Sequence, residues 1–406
     1  MKTKEIVLPD IPATVTPGTI RVLQSSDWHI GAEPSMLTDT RAQSRREELL
    51  RYVDELPKIA RKFRVDVVLL PGDLFQNEDV SLKDVDHAIA ALNAFAPIPV
   101  VIAAGNHDPF YLLSHYNKQL TAKRSNSTSV YGDHIYIASG EWQRFEFYEF
   151  AVTARSFVSQ AKKTEPALTG VPRRGDSPIE LLCIHGSLGT LPEGQDTVAP
   201  MTEGELFKLQ YDYTAMGHFH RQSKHLRGDK IAAGYSGSLA VLRKNSGETG
   251  VTILDVEPGG VAPERCWQFS LDRCRVMKIV VEVNSDTSDL MNMIKESFAT
   301  AGVTSDDYVR LTITGRAPLG RFQAPRLEDV AELCFGLDVD NQVQPDWDFD
   351  ALMQGSTTEA VFVKNLRDRI RDAEQRGDAA AVKLLSDALD IGLQALKRNK
   401  IEYLPK

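Results

Sequence analysis

The feature that most constrains the fold is a repeated alternation of helical segments with short, continuous apolar runs. The helical segment Arg41–Phe63 is followed by the apolar run Val65–Leu70, and a second helical stretch, Leu82–Phe95, precedes the run Val100–Ala104. Continuous apolar runs of strand length are typical of parallel strands that are buried on both faces. The sequence therefore predicts an α/β domain built around parallel strands.

More strands are predicted downstream, and several of them are separated by turns that are too short for a helix. Such turns do not fit a single doubly wound sheet, so we predict a sandwich of two mixed sheets. This domain would span residues 21–272, after a lead-in of residues 1–20. The other strands are expected at Arg21–Ser25, His134–Ser139, Phe145–Ala151, Leu181–His185, Tyr213–Gly217 and Val251–Val256.

A second, smaller α/β domain is predicted at residues 273–345. The strands Val276–Val283 and Tyr308–Gly315 flank a helix at Ser288–Ala301, and a short helix is expected near Leu327–Phe335. Residues 346–406 are predicted to hold a linker and a pair of helices. The acidic linker is predicted from Leu337 to Asp350, so it overlaps the end of the second domain. The amphipathic helices are Thr357–Arg376 and Ala379–Lys397.

Charge and cysteine usage narrow the functional class. A net charge of −9 argues against a protein that coats nucleic acid by bulk charge, although two divalent cations among carboxylates would reverse the local field. The four cysteines lack C-x-x-C spacing, which favours a reducing cytoplasm over a disulfide framework. Because neither a signal peptide nor a long apolar stretch is present, we expect no membrane span.

Five short polar blocks stand at the carboxyl ends of predicted strands, where loops converge in α/β proteins. They supply Asp, His and Asn side chains without sulfur, a donor set that suits manganese, iron or zinc. One such block alone is typical of a capped turn, but five in order, each after an apolar strand, are hard to explain by turn chemistry. The blocks are Asp27–His29, Gly72–Asp73, Gly105–Asp108, His185–Gly186 and Gly217–His220.

The order of the blocks resembles the calcineurin-like metallophosphoesterase superfamily, whose pattern is D-x-H, G-D, G-N-H-D/E, H and G-H-x-H. Within it, residues 20–345 are similar to the SbcD/YhaO-type DNA repair nucleases. The resemblance implies a four-layer α/β/β/α sandwich with a small DNA-contacting cap, acting as a metal-dependent DNA exonuclease or endonuclease. The implied partners are DNA, an SMC-like coiled-coil ATPase of the SbcC type, and a second copy of the chain.

The ligands of that superfamily can be carried over position by position. Two divalent ions share one carboxylate, and each takes three further ligands from the loops. Manganese is the expected metal, with iron or zinc as alternatives. The positions here are Asp27, His29 and His220 for one ion, Asn106, His185 and His218 for the other, and Asp73 for the bridge.

Other roles follow from the same resemblance. His107 is similar to the imidazole that stabilises the transition state or protonates the leaving 3′ oxygen, and Asp108 is the carboxylate expected to orient it. Gln76 stands where archaeal and eukaryotic members usually have histidine, so their preference between exonuclease and endonuclease action cannot be carried over. Arg221 is our candidate for a contact with DNA phosphates. Other basic candidates are Lys118, Lys123, Arg124, Lys224, Arg227, Arg243 and Lys244.

Three alternatives remain at this stage. Protein phosphatases of the superfamily read G-D-x-V-D-R-G in the second block, whereas residues 72–77 read GDLFQN and lack that arginine. A phosphodiesterase for small nucleotides or other phosphoesters stays open, although it would need neither the cap nor the helical tail. A scaffold without activity is disfavoured because all seven ligand positions and His107 are present.

The two tail helices each carry one apolar stripe, which leaves two interpretations open. The helices either pack on their own catalytic domain or dock on a partner such as the ATPase. The stripes consist of Phe362, Leu366, Ile370 and Ala373 in the first helix, and Val382, Leu385, Leu389, Leu393 and Leu396 in the second.

Overall fold

The computed structural model of the chain divides into two compact units, Met1–Val276 and Met277–Lys406. Each unit has a hydrophobic core of its own. The residues described are 6, 8–34, 39–76, 80–111, 115–116, 130–159, 164–189, 196–242, 249–318, 321–322 and 327–398.

The first sheet of the N-terminal unit consists of β1 (Ile20–Gln24), β2 (Val67–Leu70), β3 (Val100–Ile102), β4 (Ile135–Ile137), β11 (Val251–Val256) and β12 (Cys266–Phe269). Its order is β12-β11-β1-β2-β3-β4. The strands β1 to β4 are parallel, whereas β11 is antiparallel to both of its neighbours. The loops that leave β1, β2 and β3 therefore emerge at one edge of the sheet.

The second sheet consists of β5 (Gln143–Glu146), β6 (Phe150–Ala154), β7 (Ile179–His185), β8 (Tyr213–Gly217), β9 (Gln222–Arg227) and β10 (Lys230–Ser236), in the order β5-β6-β7-β8-β10-β9. The central pairs are parallel, and His185 at the end of β7 is in register with Gly217 at the end of β8. The predicted single strand Phe145–Ala151 is wrong, because the chain turns there and β5 pairs with β6 as a hairpin.

The two sheets pack face to face through an aliphatic core that includes Val22, Leu69 and Val101 from the first sheet and Val152 and Leu181 from the second. The helices α1 (Asp39–Lys62) and α2 (Leu82–Asn93) cover the outer face of the first sheet. The short helix α3 (Glu203–Lys208) and its neighbouring loops cover the second. The predicted four-layer α/β/β/α sandwich is confirmed, and burial on both faces explains the continuous apolar strands.

The C-terminal unit contains a small sheet of β13 (Val276–Val283), β14 (Tyr308–Ala317), β15 (Gly336–Asn341) and β16 (Gln344–Pro345), with the helices α4 (Leu290–Ala301) and α5 (Glu328–Ala331). The prediction of an acidic linker from Leu337 is wrong. Leu337 lies in β15, which pairs in parallel with β14 and sets Leu337 opposite Val309. The backbone pairing with β14 and the partial burial of Leu337 stabilise a strand here despite the acidic composition of the segment.

The chain ends in the helices α6 (Phe349–Met353), α7 (Thr358–Gln375) and α8 (Ala379–Arg398). The helices α7 and α8 pack on each other through Leu366, Leu389 and Leu393 of the predicted stripes. Val363, which was not part of the predicted stripes, joins this contact, whereas Leu396 of the second stripe is exposed. Between them, Gly377 adopts a φ of 70°, a left-handed conformation that favours glycine and breaks the helix. Among the described helices, none is long and apolar enough to cross a membrane.

Candidate metal centre

All seven predicted metal ligands lie at the carboxyl ends of parallel strands. Asp27 and His29 follow β1, Asp73 follows β2, Asn106 follows β3, His185 ends β7, and His218 and His220 follow β8. Side chains at the ends of adjacent parallel strands meet at one edge of a sheet, which is where ligands bind in α/β folds.

The loops that carry these side chains are tied together through their backbones. The amide of Asp27 donates to the carbonyl of Gly72 at 3.0 Å, and the amide of His29 donates to the carbonyl of Asp73 at 2.9 Å. Asp27, His29, Asp73 and His218 adopt φ values of 53°, 47°, 54° and 111°. Non-glycine residues in this region cost about 1–3 kcal/mol each, and such strain is concentrated at functional sites.

Two glycines allow the loops to approach this closely. A Cβ on Gly105 would clash with the carboxylate of Asp73, and a Cβ on Gly217 would clash with the carbonyl of Pro71. Larger residues at these two positions would therefore push the blocks apart.

The candidate ligand atoms fall into groups of three within 4.8 Å of one another. Asn106 joins the group that contains His185, because Oδ1 of Asn106 lies 3.0 Å from Nε2 of His185. The structure thus brings all seven predicted ligands and His107 together. The groups are Asp27, His29 and His220; Asp73, His185 and His218; and His29, Asp73 and His107.

Asp73 stands between the groups and has one oxygen without a hydrogen-bond partner. Its Oδ1 accepts the backbone amide of His107 at 2.8 Å. Its buried Oδ2 has no hydrogen-bond partner among the described residues and lies 3.4 Å from Nε2 of His185 and 3.9 Å from Nε2 of His29. Because a buried acceptor without a partner is costly, the residues fit a divalent cation at this oxygen.

Two histidines are oriented by backbone carbonyls. Nδ1 of His185 lies 2.9 Å from the carbonyl oxygen of Pro71, and Nε2 of His218 lies 2.8 Å from that of Asp196. A carbonyl only accepts, so each of these nitrogens carries a hydrogen. The opposite nitrogen of each ring then has its lone pair available for a cation, as in metal sites whose histidines are held by a second layer of acceptors.

The electrostatics also favour a cation. Burial raises the pKa of Asp27 to about 7, and burial lowers the pKa of His218 to about 4. Burial opposes a charge on His185 as well, but Asp73 and Asp27 raise the pKa of His185 to about 9. The two carboxylates therefore favour a positive charge at this place, which a divalent cation would supply.

His107 lies beside the candidate ligands. Its ring packs edge-on against that of His29, with centroids 5.0 Å apart, and its Nδ1 lies 3.2 Å from Nε2 of Gln76. The sequence shows Gln76 only as a departure from a family pattern. Its contact with His107 depends on a loop that is distant in sequence, so no local signal could have revealed it.

Asp108 has a different environment from the one predicted. The expected hydrogen bond to the ring of His107 is not formed, and the group in contact with that ring is Gln76. The Asp108 carboxylate is instead buried under the second block, where it fixes the loop that carries Asp73. Its donors are the backbone amides of Asp73 (3.1 Å), Leu74 (2.6 Å), Phe75 (3.1 Å) and Gly105 (2.7 Å), and the hydroxyl of Tyr116.

Asp108→Asn is expected to lower the free energy of unfolding by roughly 3 kcal/mol, because an amide cannot accept from all of these buried donors. Tyr116→Phe is the matched control, since it removes one donor and leaves the carboxylate with its four amides; a loss of about 1 kcal/mol is expected. Denaturant unfolding of both variants measures the difference. Equal losses would show that the carboxylate does not fix this loop.

Arg221 lies directly after His220 with its side chain exposed to solvent. It forms no ion pair with any residue whose placement is described. Among the other basic candidates, Lys224 and Arg227 lie on β9, where their side chains donate to the carbonyls of Cys266 and Gly259. The candidates Lys118, Lys123, Arg124, Arg243 and Lys244 lie outside the described residues.

Several known proteins are similar in sequence to this chain. YhaO of Bacillus subtilis, an uncharacterised metallophosphoesterase, is 26% identical over 69% of this chain and 67% of its own length. The SbcD component of the nuclease SbcCD of the same species is 26% identical over 61% of this chain and 68% of its own length. The DNA double-strand break repair protein Mre11 of Aeropyrum pernix is 38% identical, but over only 22% of this chain and 21% of its own length. The calcineurin-like phosphoesterase family matches residues 20–222, half of the 406 residues and all five polar blocks. The chain therefore belongs to the calcineurin-like phosphoesterase family.

Proposed function

We propose that this chain is a two-metal-dependent DNA nuclease, an exonuclease or endonuclease, that hydrolyses phosphodiester bonds in DNA repair. Membership of the family makes it a hydrolase of phosphoesters. The observation that carries the two-metal proposal is the buried Oδ2 of Asp73, which lacks a hydrogen-bond partner among the described residues. Asp73 groups with His185 and His218, and its Oδ2 lies 3.9 Å from Nε2 of His29 in the other proposed ligand set. A carboxylate shared by two sets of ligands is what a pair of catalytic ions requires.

In this proposal each of two sets of side chains would hold one ion, and Asp73 would contribute to both. Two bound divalent cations would neutralise the phosphate and lower the pKa of a water molecule for attack. The protein contributes orientation, because Pro71 and Asp196 hold two ligand rings in place. His107 would hold a proton at Nε2 for the leaving oxygen. The ions would be bound by Asp27, His29 and His220, and by Asn106, His185 and His218.

One observation disfavours a protein phosphatase, and another supports DNA as the substrate. The second block lacks the arginine of protein phosphatases, and two of the relatives are named for nuclease activity or DNA break repair. An open cleft is lined by His29, Gln76 and His220, and in this proposal the substrate would enter the site through it. The exposed Arg221 follows His220 in the sequence and would contact phosphates of the DNA backbone.

End-labelled single-stranded and double-stranded DNA tests the proposal directly. With Mn²⁺ we expect cleavage that EDTA abolishes and added Mn²⁺ restores. Bis(p-nitrophenyl) phosphate and cyclic nucleotides serve as comparison substrates. Hydrolysis of these compounds without any cleavage of DNA would favour the small-phosphoester alternative, and hydrolysis of none of them would favour a scaffold without activity.

We further propose that α7 and α8 bind an SMC-like coiled-coil ATPase. Their main apolar stripes are used against each other, yet the side chains of Val361 and Leu384 are 63% and 70% exposed. Leu384→Glu is expected to weaken binding to the ATPase of the same organism by roughly tenfold or more, since buried apolar anchors dominate such interfaces. Calorimetry measures this. Lys383→Glu, next to it and also exposed, is the matched control. Equal affinity for Leu384→Glu and the unaltered chain would place the partner elsewhere.

The remaining parts of the proposal concern metal, location and assembly. Oxygen and imidazole donors without sulfur support manganese. All four cysteines are buried and free, which supports a cytoplasmic location. A homodimer is proposed from the family resemblance, and sedimentation equilibrium of the purified chain tests it.

A further inference from the structure

We infer that Gln76 is a positioning residue that fixes His29 and His107 in opposite tautomers, one suited to bind a cation and the other to donate a proton. The inference rests on the proposed function, because it takes His29 as a metal ligand. The observation behind it is that one amide lies between the two rings.

Gln76 contacts both rings with different atoms. Its Oε1 lies 2.9 Å from Nδ1 of His29, and its Nε2 lies 3.2 Å from Nδ1 of His107. Its backbone amide donates to the carbonyl of Ile30 at 2.8 Å, which fixes the side chain's starting point. The side chain therefore bridges two loops that follow different strands.

The orientation of the amide follows from the ring of His29. Nε2 of this ring is the nitrogen that faces the site, 3.0 Å from Nε2 of His220 and 3.9 Å from Oδ2 of Asp73. A nitrogen that binds a cation cannot carry a hydrogen, so a neutral His29 carries its hydrogen on Nδ1. Nδ1 then donates, and Gln76 must present its oxygen to it.

The tautomer of His107 is then determined as well. With Oε1 of Gln76 used by His29, only the NH₂ group faces His107, and this group can only donate. Nδ1 of His107 must accept, so a neutral His107 carries its hydrogen on Nε2. Nε2 is the nitrogen that would donate to a substrate oxygen. Neither a carboxylate nor an aliphatic side chain at position 76 could fix both rings in this way, because only an amide offers both an acceptor and a donor.

Nitrogen-15 NMR of histidine-labelled protein loaded with Zn²⁺ tests the inference without measuring activity. Long-range couplings distinguish an Nδ1–H ring from an Nε2–H ring, and single His→Gln variants assign the signals. We expect His107 to be protonated at Nε2 in the unaltered chain. In Gln76→Glu the carboxylate accepts from both rings, so His107 is expected to change to the Nδ1–H form. Glu33→Gln, which changes a charge beside the same cavity, is the matched control and should leave the tautomer unchanged.

Kinetics and metal affinity give a second measurement. Gln76→Met removes both hydrogen bonds and is expected to weaken Zn²⁺ binding by about tenfold or more, the usual scale for losing a residue that orients a metal ligand. Gln76→Glu should keep the bond to His29 and hence the metal, while kcat falls by about tenfold or more and KM changes little.

The outcomes separate the two proposals. Zn²⁺-loaded protein with His107 protonated at Nδ1, or an unchanged tautomer in Gln76→Glu, would overturn the inference and leave the nuclease proposal standing. Failure of the unaltered chain to bind any divalent metal would overturn both, since the assignment of His29 depends on it. The expected tautomers in a protein that does not cut DNA would support the inference and contradict the nuclease.

Discussion

Asp73→Ala is expected to abolish metal-dependent hydrolysis and to release metal from the protein. Asp73 supplies an atom to two of the three candidate ligand groups, and its Oδ2 has no hydrogen-bond partner in the described part of the chain. Removing this carboxylate takes a ligand from both proposed ions at once. Because each ion contributes several kcal/mol to stabilising the transition state, we expect the rate to fall by roughly 10³-fold or more.

Elemental analysis after dialysis measures the bound metal, and a cleavage assay measures the rate on DNA. Asp54→Asn is the control, because Asp54 is a partly exposed carboxylate on α1 that pairs with His87. It should keep both ions and the full rate. Circular dichroism shows whether the Asp73 variant still folds, and Asp73→Asn provides a variant of nearly the same shape. Full activity with both ions retained in a folded Asp73 variant would refute the site assignment.

Most central strands could be predicted because the packing that buries them is visible in their composition, but β10, an interior strand of the second sheet, was missed. β2 and β3 are covered by helices on one face and by the second sheet on the other, so they are continuously apolar. β9 was missed because it is an edge strand with a largely polar sequence and partly exposed side chains. β15 was missed because its acidic residues hide the pairing with β14. Edge pairing depends on the neighbouring strand and leaves little trace in the strand itself.

The metal site, like the fold, could be predicted from the sequence only in part. The positions of Asp27, Asp73 and His185 could be predicted because each follows a recognisable strand, and the register of parallel strands brings their ends together. The surroundings of Asp108 and Gln76 could not. The loops that Asp108 and Gln76 connect are distant in sequence: Asp108 accepts from the amide of Asp73, and Gln76 contacts His29. Which hydrogen bond forms depends on backbone turns with positive φ that no local pattern specifies.

His107→Ala is expected to keep both metal ions while the rate of DNA cleavage falls by roughly 10²-fold or more, the usual scale of acid–base contributions. The competing interpretation is that His107 is itself a ligand, since its ring comes within 4.8 Å of candidate atoms of His29 and Asp73. The contact between Nδ1 of His107 and the amide nitrogen of Gln76 leaves only Nε2 for chemistry. The bond from the backbone amide of His107 to Asp73 survives the substitution, so the carboxylate keeps its position.

A substrate with a good leaving group separates the two interpretations further. An acid that protonates the leaving oxygen matters for DNA, whose leaving group is a basic alkoxide, and much less for bis(p-nitrophenyl) phosphate, which releases a stable phenolate. His107→Ala should therefore reduce cleavage of DNA far more than hydrolysis of the phenyl ester, whereas loss of a metal ligand should reduce both. His87→Ala on α2, where the ring pairs with Asp54 at the surface, is the control that should change neither rate. Loss of one ion from the His107 variant, with equal losses on both substrates, would make His107 a ligand and contradict its assignment as the acid.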